Sequence, residues 1–194
     1  MKQISLCLFF IMVFISDVAG ELRLQGNQTQ GGLVFGVTDP SNRVELNGQA
    51  LALSIDGHFL IGFGRNAKKE ATLKVISLDG TVNKQILNVI PRTFKTQHIN
   101  VLPPRMVTPN PEDIARIRED NTEIARVRSQ ETQSAYFLSG FRWPVKGLIS
   151  SDFGSQRILN GKPRSAHNGT DIAAPEGTVI RAPADGIVAL VNKD

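Results

Sequence analysis

His167 and Asp171 stand four residues apart in the run Pro163-Arg164-Ser165-Ala166-His167-Asn168-Gly169-Thr170-Asp171-Ile172-Ala173-Ala174-Pro175. An imidazole nitrogen and a carboxylate oxygen both suit zinc, and the glycine between them allows a close turn. A hydrolytic zinc centre takes three protein ligands and keeps one position open, because water becomes a nucleophile near neutral pH only when the metal holds it. The pair therefore reads as half of such a site. By spacing alone the signal is weak. The bland alternative is that His167 caps a loop and Asp171 binds backbone amides. The sequence has three histidines, and His58 and His98 read as surface or satisfied core residues of a distant β-rich stretch, not as further ligands.

The elements that must position the pair can be read from periodicity. From residue 31 to about 98 the chain is rich in β-branched and apolar residues, punctuated by Asn47-Gly48, Asp56-Gly57 and Asp79-Gly80. These dipeptides predict hairpin turns, because both central positions tolerate positive φ. Candidate strands cover 32–38, 43–46, 50–55, 58–63, 71–77 and 85–90, a spacing that suggests a small, immunoglobulin-like β-sandwich. Pro103-Pro104 closes the region. Asn110-Pro111-Glu112-Asp113 then opens a helix over about 111–133, with a side-chain cap, a first-turn proline and acids near the positive end of the helix dipole. Ile114, Ile117, Ile124 and Val127 share one face of it, and charged residues cover the rest as a solvated face. Arg157 and Asn160 read equally well as groove-lining or turn-stabilising residues, and Gly177 and Gly186 as turn glycines.

Phe141-Arg142-Trp143-Pro144-Val145 starts a second region. In it, Trp143-Pro144-Val145, Gly147, Ser150-Ser151-Asp152-Phe153-Gly154, His167-Asn168-Gly169-Thr170-Asp171-Ile172-Ala173 and the stretch from Gly177 through Ala182-Pro183-Ala184-Asp185-Gly186 to Val188 follow in order. This series resembles the lysostaphin/LytM-type zinc metallopeptidases, murein endopeptidases with an antiparallel β core. The match covers 141–194, and residues 31–133 are similar to the β domain and helix that precede this core in some proteobacterial members. The resemblance implies that His167 and Asp171 are zinc ligands and that Zn2+ is the cofactor. It also implies a later H-x-H motif, which would supply a third ligand and a water-polarising histidine, and a further assisting histidine. The 194 residues contain none of these. The expectation is thus a mainly β chain with an N-terminal β-sandwich (21–104), a connecting helical linker (105–140) and the first part of an antiparallel β metallopeptidase core (141–194), truncated at its C-terminus and inactive alone. The expected function is hydrolysis of peptide cross-links in peptidoglycan. A non-catalytic envelope protein that binds cell wall or regulates another hydrolase is the alternative.

Composition narrows the setting. Met1-Lys2, an apolar run over 4–15 and the small residues Val18-Ala19-Gly20 predict a cleaved secretory signal over 1–20, with an uncleaved anchor as the alternative. No later segment is apolar enough to span a bilayer, so the protein is expected to be exported, to the periplasm or cell envelope. Cys7 is the only cysteine and precedes most of the apolar run, where a lipid-attachment cysteine would follow it. Signal cleavage leaves no cysteine, which excludes disulfides and thiolate chemistry and leaves stability to an apolar core. The formal net charge of +4 is unchanged by cleavage, which removes Lys2 and Asp17. Basic residues are scattered with no aromatic interleaving, so no nucleic-acid partner is expected. A mild positive excess is compatible with an anionic polymer such as peptidoglycan. Composition does not set the oligomeric state.

Overall fold

The computed structural model describes residues 21–192; the segment 1–20, read as an export signal, lies outside them. The described chain is mainly β with antiparallel sheets and one principal helix. Seven strands form a sandwich. One sheet orders β1 (Arg23–Gly26), β2 (Leu33–Val37) and β5 (His58–Gly62) as β1-β2-β5. The other orders β3 (Arg43–Leu46), β4 (Gln49–Leu51), β6 (Glu70–Ile76) and β7 (Val82–Asn88) as β4-β3-β6-β7. Side chains on a strand alternate between faces, and here the inward set is apolar. Val34, Val44, Phe59, Ile61, Phe63, Ala71, Leu73, Val75, Leu87 and Val89 are buried as one cluster. Gly36 belongs to this logic, since it faces Phe59 across the β2–β5 pair and a Cβ there would collide with the Phe59 ring.

The three turn signals resolve into two kinds. Asn47-Gly48 is a two-residue hairpin turn between β3 and β4, with both residues at positive φ, 52° and 84°. The two Asp-Gly pairs instead sit in three-residue loops whose glycine alone has positive φ. Ser77 N–H donates to Thr81 O at 2.9 Å and Ser54 N–H to His58 O at 2.8 Å across them. Nor does Asp56-Gly57 join paired strands: β4 and β5 lie in different sheets, so it is the corner where the chain changes layer.

After a short helix α1 (Pro104–Val107), α2 runs over Pro111–Arg128 and begins as expected, with the Asn110 side chain accepting the Asp113 amide at 2.8 Å. It ends five residues earlier than the sequence pattern suggests, at a Ser129 cap. No residue of α2 is fully buried: of its apolar stripe Ile114 and Ile117 are exposed and Ile124 and Val127 are half-buried.

The remaining strands are short: β8 (Thr96–Ile99), β9 (Leu148–Ser151), β10 (Gln156–Leu159), β11 (Lys162–Pro163) and β12 (Asp171–Ala173). β9 and β12 pair antiparallel, and β10 and β11 form a hairpin through Asn160-Gly161, both at positive φ. β8 comes from before the helices and runs parallel to β10, with Gln97 opposite Arg157 and His98 opposite Ile158. From residue 174 to 192 no strand is present, although Arg142 N–H donates to Pro183 O at 2.8 Å and Arg181 N–H to Pro144 O at 2.9 Å.

Candidate metal-binding site

Asp171 is the first residue of β12, opposite Ser151 of β9, and a register shift follows it. His167 lies on the preceding loop, which is clipped to the turn after β9. Gly154 N–H donates to His167 O at 2.7 Å, and His167 N–H donates to Ser155 O at 2.9 Å. The turn at Gly154 has φ of 83° and its Cα lies against the Phe94 ring. A side chain there would be strained and would overlap that ring, so the clip depends on glycine.

These constraints bring the two side chains together. His167 Nε2 lies 3.1 Å from Asp171 Oδ1. The two atoms are not aligned for a hydrogen bond, and the ring nitrogen is buried without any other partner. A buried nitrogen normally finds a hydrogen bond; this one has the Asp171 carboxylate as its ion-pair neighbour instead, and the same two atoms could serve a cation as ligands. Two ligand atoms each about 2.0–2.2 Å from a tetrahedral zinc are themselves separated by roughly 3.3 Å, which the observed spacing approaches. The pair thus fits a metal as two of its ligands. Among the described residues no group of three histidine, cysteine or acidic side chains converges to hold one.

The other carboxylate oxygen is also engaged. The Arg157 guanidinium donates from Nη2 to Asp171 Oδ2. This bond fixes the orientation of the carboxylate and leaves Oδ1 facing His167 Nε2. Arg157 is on β10, and with Gln97, Ser150, Ser151 and Asp171 it lines a cleft of about 490 Å³. Gln97 ties the two sheets across this cleft: its Nε2 donates to Ser150 O at 3.3 Å, and Ser151 Oγ donates to its Oε1 at 3.2 Å.

The two readings for Arg157 and Asn160 separate here. Arg157 lines the cleft, whereas Asn160 is a turn residue whose side chain accepts from Leu102 N–H at 3.1 Å and donates to Leu102 O at 2.9 Å. The Asn160-Gly161 dipeptide was the available signal for that turn. Gly177 has positive φ of 79° and is the third residue of a turn in which Thr178 N–H donates to Pro175 O at 3.2 Å. His58 lies on β5 in the sandwich. His98 borders the cleft, but strand alternation puts its side chain on the sheet face opposite to Gln97 and Arg157. Gln97 itself carries no local sequence signal; it enters the site because β8 pairs with β10.

Compared with known proteins, the chain matches no protein-family model and no curated protein.

Proposed function

We propose that this chain carries the His-Asp portion of a zinc hydrolase site for peptide bonds, and that the substrate is the peptide cross-link of peptidoglycan in the cell envelope. One observation supports the metal reading above the others: a buried His167 Nε2 without a hydrogen bond, facing Asp171 Oδ1 at 3.1 Å. In this reading His167 and Asp171 hold zinc, Arg157 orients the Asp171 carboxylate through Oδ2, and the Gly154 clip fixes the His167 backbone. Zinc, when bound in such a centre, activates a water and polarises the scissile carbonyl. The cleft beside the pair is lined by polar groups, of which Gln97, Ser150 and Ser151 are already hydrogen-bonded to one another or to Asp171. The choice of peptidoglycan, and of export, rests on the motif resemblance and the N-terminal segment.

Two ligands do not make a hydrolytic centre. We therefore expect zinc to bind these 194 residues through His167 and Asp171, without hydrolysis of purified cell wall. Calorimetric titration with zinc checks the first expectation: binding should vanish in His167→Ala and in Asp171→Asn. Release of soluble fragments from purified peptidoglycan checks the second, and zinc-dependent release by this chain would refute it. The absence of a third convergent ligand among the described residues also favours a second reading, a non-catalytic envelope protein that regulates another hydrolase. Stimulation of a cell-wall hydrolase by the purified chain, retained in His167→Ala, would select that reading.

A further inference from the structure

Between the sandwich and the His167–Asp171 pair lies a polar and aromatic brace. Arg65 follows β5 and belongs to the sandwich, yet its guanidinium Nε donates to Gly154 O at 2.6 Å. The same guanidinium lies over the Phe94 ring, 5.1 Å from its centroid, and Arg92 lies 5.2 Å from that centroid. Arg92 is in turn held to the sandwich: its N–H donates to Gln30 Oε1 at 3.0 Å and its Nη1 to Gln30 O at 3.2 Å. Phe94 meets Phe153 edge to face at 6.5 Å. Gly31 comes so close to Phe153 and Arg92 that a Cβ there would stand 2.9 Å from both.

Gly154 is the meeting point. Its carbonyl accepts from Arg65, and its N–H donates to His167 O. The carbonyl and the N–H belong to adjacent peptide units on the two sides of one Cα, so holding the first restricts where the second can point. We propose that Arg65 is a positioning residue for the His167–Asp171 pair, acting through Gly154. This deepens the metal-site reading and rests on it. A guanidinium suits the task because it can hydrogen-bond a carbonyl in its plane while stacking on an aromatic face, whereas an ammonium offers a point charge without the flat contact. The sandwich is thereby part of the site's scaffold, not an appended module.

The test compares the whole chain with Arg65→Ala and Arg65→Lys. Amide hydrogen exchange reads the clip directly at Gly154 and His167, and exchange at Leu73 in the sandwich core serves as the control. Cobalt(II), with its visible absorption, is the metal probe. In Arg65→Ala, exchange at Gly154 and His167 is expected to accelerate by about tenfold or more, with Leu73 unchanged. Cobalt affinity is expected to fall, by less than the roughly 10–100-fold that follows loss of a direct partner of a ligating side chain, because Arg65 reaches His167 only through Gly154. Arg65→Lys should recover part of both. Unchanged exchange at Gly154 and His167 would overturn the proposal, as would equal acceleration at Leu73. Accelerated exchange with unaltered cobalt affinity would reduce Arg65 to a structural brace and overturn it too. If the unsubstituted chain binds no cobalt, the metal reading fails by itself, and exchange at Gly154 and His167 still decides whether Arg65 holds the pair.

Discussion

The sandwich and the region after Gly140 are both built from short β-strands, but they obtain their order in different ways. Ten apolar side chains close the sandwich interior. After Gly140 no apolar side chain among the described residues is buried; the buried polar ones there are Ser151 and Ser155. Trp143, Leu148, Val179, Ile180, Val188 and Val191 are each at least 66% exposed. Such surface contributes little of the apolar burial that dominates folding. What holds this region is contact with the chain before it: the segment after the sandwich supplies the parallel β8–β10 pairing, the Asn160 clamp on Leu102 and the Gln97 bridge, and the sandwich itself supplies the Arg65 bond to Gly154. The comparison teaches that a site can be made of residues from a weakly cored region when a well-cored one supplies the rigidity.

The largest effect should come from the sandwich interior. Phe59→Ala removes a ring that is 1% exposed and should cost about 3–5 kcal/mol by the combined loss of burial and the cavity left behind. Urea denaturation measures this, and the half-site should be lost along with the sandwich. A half-site that kept its exchange protection after the sandwich had unfolded would break the dependence of one region on the other.

Next comes susceptibility to protease. The region after about Gly140, and first of all residues 174–192, should be cut well before the sandwich, because its backbone is exposed and carries no strand there. Mass spectrometry of a limited digest reads the order of cleavage, and equal resistance of both halves would remove the contrast drawn here.

The smallest effect concerns the joint between α1 and α2. Arg105 binds Asp113 in a bidentate pair, with Nε to Oδ2 at 2.6 Å and Nη2 to Oδ1 at 2.5 Å. Hydrogen bonding to Arg105, helped by its charge and by the Asn110 backbone, holds the Asp113 carboxyl below its ordinary value of 3.8. A folded-state value below the unfolded one means that the stabilisation is present above the ordinary value and is lost as pH falls through the lowered one. Because the pair is exposed, the change should be small and screened by salt. An NMR titration of the Asp113 carboxyl should show the depressed midpoint and its return toward the ordinary value in Arg105→Gln, with the sandwich unaffected.

Much of the fold was legible because its causes are local. Strand 43–46 and the start of α2 at the Asn110 cap followed directly from residue type and period, and the Asn47-Gly48 hairpin from its dipeptide. Strand β1 was not legible, since Arg23-Leu24-Gln25-Gly26 carries no apolar run. β8, Thr96-Gln97-His98-Ile99, was equally obscure. Its strand state comes from backbone bonds to β10, more than fifty residues away in sequence. His167 and Asp171 were singled out by the motif series around them, since their spacing alone is a weak signal. Their partners Arg157, Gln97 and Arg65 were not, because neither their residue type nor their spacing says what they will meet.

The sequence by itself thus determined the mainly β class, the Asn47-Gly48 turn and the Asn110 cap. Backbone preferences, alternation and side-chain chemistry act over a few residues and need no distant partner. Only the tertiary structure decided that β4 and β5 part into separate sheets, that no residue of α2 becomes fully buried, and that Gly154 is held between Arg65 and His167. Those outcomes depend on which surfaces meet when the sandwich closes, and burial is shared among residues that are far apart along the chain.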